Sequence, residues 1–68
     1  MPDLFDRREV SLRDQLRSAE RELAYRRRVY PRWVDAGKLD NAKAQHEIAA
    51  MTAIVKTLTN CIERERVP

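Results

Sequence analysis

The sequence predicts an all-α fold, an antiparallel two-helix hairpin of coiled-coil type. It contains two stretches of helical periodicity of similar length, with Pro31 and the single Gly37 between them. It also has 37% charged and only 6% aromatic residues, a composition typical of long helices and coiled coils. One domain of 68 residues buries only about 60% of its unfolded surface. We therefore expect a homodimer in which two hairpins form a four-helix bundle.

The first helix is predicted over about residues 11–36, after a frayed segment over residues 1–10. Ser11 is a good N-cap residue, and Asp14 three positions later approximates a capping box. Apolar residues then recur at the three- and four-residue spacings of a heptad seam, interrupted once by Arg26. The seam residues are Leu12, Leu16, Ala19, Leu23 and Tyr30. Arg26 follows Glu22 by four residues, which favours an ion pair between them and predicts that Arg26 helps to set the helix register.

Pro31 interrupts the pattern near the end of the first helix and leaves two outcomes open. Its ring clashes with the carbonyl of Arg27, so the helix either kinks at Pro31 or stops there and restarts for one turn. Gly37 suits the left-handed position of a Schellman ending, and we expect Leu39 to supply the C″ hydrophobe of that motif. The first helix should bend at Pro31 and finish near Ala36.

The second helix is predicted over about residues 41–65. Asp40 is its expected N-cap, with Leu39 before it placed to pack against Ala44. The seam of this helix keeps the heptad spacing without a break. Its residues are Ala44, Ile48, Met51, Val55, Leu58 and Ile62.

The apolar stripe of the second helix is wider than one partner helix requires. Three residues beside the seam, Ala50, Ile54 and Cys61, widen it to roughly 160°. This excess width predicts that a second hairpin packs against the first. We interpret Cys61 as a small hydrophobe in a reducing compartment, with a symmetric disulfide between two chains as the alternative.

The arginines of the first helix are the most informative chemistry in the sequence. Five of them fall within a quarter to a third of a turn, opposite the leucine seam, and extend over about 28 Å. We name this set the Arg ridge, which consists of Arg13, Arg17, Arg21, Arg28 and Arg32. Arginine suits bidentate contact with carboxylates or phosphates. The ridge is therefore a solvated face, a binding site for an acidic protein surface, or a nucleic-acid site.

A second apolar line, Tyr25, Val29 and Trp33, runs beside the Arg ridge and off the main seam. It is either buried in the dimer interface or a binding patch, since Trp, Tyr and Arg are enriched at interface centres. The predicted partner-binding residues are Arg17, Arg21, Tyr25, Arg28, Val29, Arg32 and Trp33. The predicted core and dimer residues are Leu12, Leu16, Leu23, Tyr30, Ile48, Met51, Ile54, Val55, Leu58 and Ile62.

No residue set in the sequence predicts a reaction, a metal or a cofactor. His46 has no Cys or second His at ligand spacing, and there is no Gly-rich phosphate loop or nucleophile elbow. No apolar run approaches the roughly 20 residues that span a bilayer, and the N-terminus lacks the order of a signal peptide. We therefore expect a non-enzymatic, cytoplasmic protein without a membrane segment.

Five short segments carry a resemblance to a known group of proteins. They are Glu20-Arg21-Glu22-Leu23-Ala24, Arg28-Val29-Tyr30-Pro31, Val34-x-x-Gly37-Lys38, Glu47-Ile48-x-x-Met51-x-Ala53-Ile54 and Thr57-Leu58. Over roughly residues 18–58, the chain resembles short uncharacterised proteins encoded by bacteriophages and prophages of proteobacteria. The resemblance carries no active site. It implies a small regulator or inhibitor that binds one protein of the bacterial host.

Two functions remain open. The first is a dimeric interaction module that binds a host protein with an acidic surface in the cytoplasm of the bacterial host cell. The alternative is a nucleic-acid-binding regulator that uses the Arg ridge on phosphates. The net charge of only +3 and the absence of a helix-turn-helix pattern make the alternative the second choice. A purely structural role in a larger assembly is a third interpretation.

Overall fold

The structure, a computed structural model, describes residues 10–66 as two α-helices joined by a short turn. α1 spans Leu12–Asp35 and α2 spans Asn41–Arg66. The two helices pack against each other, and residues 10–66 contain no strand. These observations confirm the predicted all-α hairpin. The predicted frayed segment, apart from Val10, lies outside the described residues.

α1 begins directly after Ser11, whose side chain accepts a hydrogen bond from an amide that has no acceptor within the helix. The Ser11 hydroxyl oxygen accepts a hydrogen bond of 3.0 Å from the Asp14 amide. The Ser11 carbonyl accepts the first helical bond, 2.9 Å from the Gln15 amide. The Asp14 carboxylate lies 3.7 Å from the guanidinium of Arg17. The predicted N-cap is confirmed, and it stabilises a helix start by about 1 kcal/mol.

α1 continues through Pro31 as one helix. The interpretation in which the helix stops there and restarts is therefore wrong, and the kink stays a prediction. Proline has no amide hydrogen, so the carbonyl of Arg27 loses its usual helical donor. Both residues are exposed, so water can satisfy that carbonyl. The half-buried Tyr30 and Val34 on either side of the proline give α1 a packed surface on both sides of the interruption.

α1 ends in a Schellman motif at Gly37, which has a φ of 73°. The Gly37 amide donates to the Val34 carbonyl at 3.0 Å, and the Lys38 amide donates to the Trp33 carbonyl at 2.8 Å. These two bonds define the motif and place Lys38 at C″. The prediction that Leu39 occupies C″ is wrong, because the motif closes one residue earlier.

Asp40 caps the start of α2. Its carboxylate accepts a hydrogen bond of 3.1 Å from the Lys43 amide, and its carbonyl accepts one of 2.9 Å from the Ala44 amide. Leu39, just before the cap, is half-buried, and Ala44 is buried. The predicted N-cap of the second helix is confirmed.

Because the backbone at Gly37 is left-handed, Gly37→Val is expected to lower the free energy of unfolding. A Cβ at this position would meet no atom within 4 Å, so the cost comes from the backbone rather than from crowding. We expect a loss of about 1–2 kcal/mol, read as a lower melting temperature by circular dichroism. The control Gly37→Asn should lose less, because Asn tolerates this conformation. Equal melting temperatures for Gly37→Val and the wild type would contradict the Schellman ending.

A thin core lies along the seam between the helices. The buried side chains are Ala19, Leu23, Ala44, Met51 and Ile62. Three more seam residues, Ile48, Val55 and Leu58, pack against its centre, and Leu12, Leu16 and Tyr30 are half-buried. Ile54 is different, because it is 47% exposed and lies outside this core. No large side chain of residues 10–66 is fully buried, so the hairpin core is small for an isolated fold.

Candidate functional site

The hairpin has two broad faces, one on each side of the plane through the two helix axes. One face, the groove face, carries two shallow grooves of about 310 Å³ and about 280 Å³. The first groove lies toward the open end of the hairpin, between Leu16 and Glu20 of α1 and Thr59 of α2. The second lies near the turn, where Val34 faces Gln45.

Arg26 crosses from α1 to α2 on the opposite face. Its Nε donates to the Glu22 carboxylate at 3.0 Å, and its Nη1 donates to the Glu47 main-chain carbonyl at 2.8 Å. The same Nη1 lies 3.7 Å from the Glu47 carboxylate, and the side chain is only 19% exposed. The guanidinium also lies 6.0 Å from the centre of the Tyr30 ring. The predicted pair with Glu22 is confirmed, and the bond to α2 ties the two helices at one axial level.

The face that Arg26 crosses is also the more apolar one. At 100° per residue, the Tyr25, Val29 and Trp33 line lies on the Arg26 side of the α1 seam. Beside the α2 seam, three apolar residues lie on the Glu47 side. We name the resulting surface the aromatic face, which consists of Tyr25, Val29, Trp33, Ala50, Ile54 and Cys61. Three of these residues, Tyr25, Val29 and Trp33, were predicted to bind a partner. Ile54, on the same side of the hairpin, was predicted to be a core or dimer residue.

The side chains of the aromatic face are open to solvent in the single hairpin. Tyr25 is 41% exposed, Trp33 38% and Ile54 47%, while Val29, Ala50 and Cys61 are half-buried. The Trp33 ring stacks on Tyr30, with 5.5 Å between the ring centres, which orients it toward the seam. Cys61 carries a free thiol. Scattered exposed hydrophobes are normal on protein surfaces. In the alignment that the Arg26–Glu47 bond gives the two helices, Trp33 lies near the turn, whereas Ile54 and Cys61 lie toward the open end.

The Arg ridge runs along the outer side of α1, and all its residues are exposed. The Arg21 guanidinium donates to the Ser18 hydroxyl at 3.2 Å. The Arg28 guanidinium lies 5.8 Å from the centre of the Tyr25 ring. Within residues 10–66, only Arg17 of the ridge forms an ion pair with an acidic side chain, and Arg13, Arg21, Arg28 and Arg32 form none. Most of the charge of the ridge is therefore available to a partner.

Two features of this surface were missed by sequence reasoning. The first is Glu47, whose side chain flanks the seam one residue before Ile48 and faces Arg26. The second is the shared face of Trp33 and Ile54. Both follow from aligning the two seams in an antiparallel pair, because residues on matching sides of the two seams then lie on one face.

The remaining candidates add no chemistry to this surface. His46 is exposed, and no group of three His, Cys, Asp or Glu side chains within residues 10–66 is placed to hold a metal ion. Neither α1 nor α2 is long and apolar enough to cross a membrane. Comparison of the chain with protein-family models, with curated proteins and with solved structures finds no match. Within residues 10–66, the surfaces that can support a function are therefore the Arg ridge, the groove face and the aromatic face.

Proposed function

We propose that this protein is a non-enzymatic interaction module that binds an acidic protein surface through its Arg ridge. The observation that carries the proposal is the exposed row of guanidinium groups on α1, four of which form no ion pair within residues 10–66. Guanidinium groups bind carboxylates with two parallel hydrogen bonds, which gives both strength and orientation. The Arg ridge together with the resemblance to phage proteins leads us to propose that the partner is a protein of the bacterial host. The module then acts in the host cytoplasm as a regulator or inhibitor.

The contact between Arg28 and Tyr25 supports a binding role for this part of the ridge. A ring 5.8 Å from the guanidinium restrains a long side chain that otherwise loses rotamer freedom on binding. Arginine and tyrosine are both enriched among the residues that dominate binding energy at protein interfaces. Arg28 is therefore the ridge residue from which we expect the largest effect.

We also propose that two hairpins pair into a dimeric four-helix bundle. The thin core and the exposed Ile54 support this assembly, because small helical domains commonly gain their missing burial from a second copy. A bundle of this kind presents two Arg ridges and allows bivalent attachment to a partner.

Charge reversal in the ridge is expected to remove partner binding. Arg28→Glu should cost about 2 kcal/mol or more, roughly 30-fold in affinity, since it replaces attraction to carboxylates with repulsion. The measurement is capture from host lysate on immobilised protein, with the bound proteins quantified by mass spectrometry. Arg64→Glu is the matched control, because it makes the same charge change on α2, away from the ridge. Equal capture by the wild type and Arg28→Glu would refute the proposed site.

A mobility-shift experiment separates protein binding from nucleic-acid binding. If the ridge contacted phosphates, affinity would fall with salt at a log-log slope of about 0.7 to 0.9 per neutralised phosphate. We expect no shift of mixed-sequence duplex or single strand at about 150 mM salt. A tight, salt-steep shift, with no protein captured from lysate, would favour the nucleic-acid alternative.

A further inference from the structure

We propose that the partner of the Arg ridge presents an acidic α-helix that packs lengthwise against the outer side of α1. The inference rests on the proposed function and deepens it by naming the shape and the charge pattern of the partner. Three observations carry it: the spacing of the central ridge arginines, a hollow at Ala24 between them, and an acidic side chain at each end of the row.

The four central arginines of the ridge form two pairs. Arg17 and Arg21 are four residues apart, as are Arg28 and Arg32, and seven residues separate Arg21 from Arg28. All four are exposed, and along the helix axis they lie at about 0, 6, 16.5 and 22.5 Å. A second α-helix with Asp or Glu at the same four-, seven- and four-residue spacing places a carboxylate opposite each guanidinium.

An extended strand matches this row less well than a helix does. Side chains on one face of a strand recur about every 6.7 Å, so the nearest carboxylate would lie about 3 Å from the level of Arg28. Arg28 has little freedom to make up this difference, because its guanidinium lies 5.8 Å from the centre of the Tyr25 ring and is restrained there. The spacing of the ridge therefore favours a helical partner.

A hollow lies between the two pairs of arginines, at Ala24. Residues 21, 24, 25 and 28 are the four neighbours that together form a hole on the surface of a helix. Ala24 is exposed and has the smallest side chain of the four, while Tyr25, 41% exposed, borders it on one side. The aliphatic stems of Arg21 and Arg28 border it along the helix axis. An apolar side chain at the centre of the acidic helix fits this hole as a knob.

An acidic side chain closes each end of the row. Asp14 lies three residues before Arg17 and Asp35 three residues after Arg32, and both acids are exposed on the ridge side of α1. Asp14 lies 3.7 Å from the Arg17 guanidinium, but such an exposed pair is weak and leaves Arg17 able to change partner.

The two acids limit the basic stretch to about 22 Å, or about four helical turns. A nucleic acid carries phosphates beyond both ends of this stretch and would place them against the carboxylates of Asp14 and Asp35. A short acidic helix can end before it reaches them. It is therefore the occupant that the charges of α1 favour.

Two synthetic peptides of identical composition test the shape of the partner. Each has about 18 residues, or about five helical turns. The striped peptide carries four Glu and a central Leu on one side at the spacing of the ridge, and the dispersed peptide carries its Glu residues around the helix. Circular dichroism first establishes equal helicity.

Fluorescence anisotropy of the labelled peptides at about 150 mM salt gives their affinities for the protein. The striped peptide should bind at least about 10-fold more tightly than the dispersed one, because only its carboxylates meet the guanidinium groups together. Equal affinities, or no binding by either peptide, would overturn the inference.

Ala24→Gln tests the hole without changing any charge. Gln fills the hollow and excludes the knob, so the affinity for the striped peptide should fall at least about 10-fold. Gln is a good helix former and Ala24 is exposed, so the hairpin should melt within a few degrees of the wild type. Ala53→Gln is the matched control, because it makes the same change at an exposed position of α2. Equal affinities of the two variants would mean that the ridge acts by charge alone and would overturn the inference.

The proposed function and this inference fail separately. We expect both Arg28→Glu and Ala24→Gln to lose the host protein in the lysate experiment. Capture that is lost in Arg28→Glu but kept in Ala24→Gln would keep the proposed function and overturn the helical partner. Tight binding of the striped peptide, with no protein captured from lysate, would do the reverse. A mixed-sequence single-stranded DNA that binds more tightly than the striped peptide would overturn the inference in favour of the nucleic-acid alternative.

Discussion

Met51→Asp is expected to unfold the hairpin, and the proposed dimer would be lost with it. Met51 is 9% exposed and packs with Ala19 and Leu23 at the centre of the core. The substitution buries a carboxylate without a partner and removes apolar contacts, and the two effects together cost several kcal/mol. Small domains are commonly stable by only about 5 kcal/mol. We therefore expect most of the helical circular-dichroism signal to disappear at room temperature.

Two controls make the Met51 experiment specific. Met51→Leu keeps the volume and should cost less than about 1.5 kcal/mol. Ala49→Asp places the same carboxylate on an exposed position of α2 and should leave most of the helix signal in place. Retained helicity in Met51→Asp would show that the core lies on another side of α2.

Pro31→Ala is expected to stabilise the protein by about 2 kcal/mol. Proline inside a helix costs about 3 kcal/mol relative to alanine, and the substitution restores an amide donor for the carbonyl of Arg27. Alanine gives the unfolded chain more freedom, which offsets about 0.4–1 kcal/mol of that gain. Pro31 is exposed, so no core contact is lost. For a domain of this size, we expect a melting temperature about 10 °C higher.

Thermal melts of Pro31→Ala and of Arg32→Ala give the comparison. Arg32 is the exposed neighbour, and its replacement should change stability by less than about 0.5 kcal/mol. An unchanged or lower melting temperature for Pro31→Ala would mean that Tyr30 and Val34 reach α2 only when the helix bends at the proline.

The helix ends were predictable from the sequence because each is determined by local chemistry. The side chains of Ser11 and Asp40 satisfy amides within three residues of themselves, and Gly37 adopts a conformation that other residues resist. The seams were predictable for a similar reason, since spacing alone defines one side of a helix. The C″ residue was misjudged by one position, because Gly37 at C′ makes the next residue, Lys38, the C″ residue that donates to the Trp33 carbonyl.

The continuity of α1 through Pro31 was harder to predict, because it depends on contacts between the helices. Local chemistry favours an interruption, whereas packing of Tyr30 and Val34 beside α2 favours one helix, and only the folded chain decides between them. The partner of Arg26 on α2 likewise depends on the axial alignment of the helices. The Arg ridge was visible in the sequence, but the lack of acidic partners along much of it was not.

The hydrogen bond from Arg26 to the main chain of Glu47 affects which sequences can form this hairpin. Every amino acid carries the same carbonyl, so the bond at 2.8 Å does not depend on the side chain at position 47. Position 26 is different, because a guanidinium is needed to reach the carboxylate of Glu22 and the carbonyl on α2 at the same time. The alignment of the two helices therefore tolerates substitution at residue 47 and restricts residue 26 to arginine.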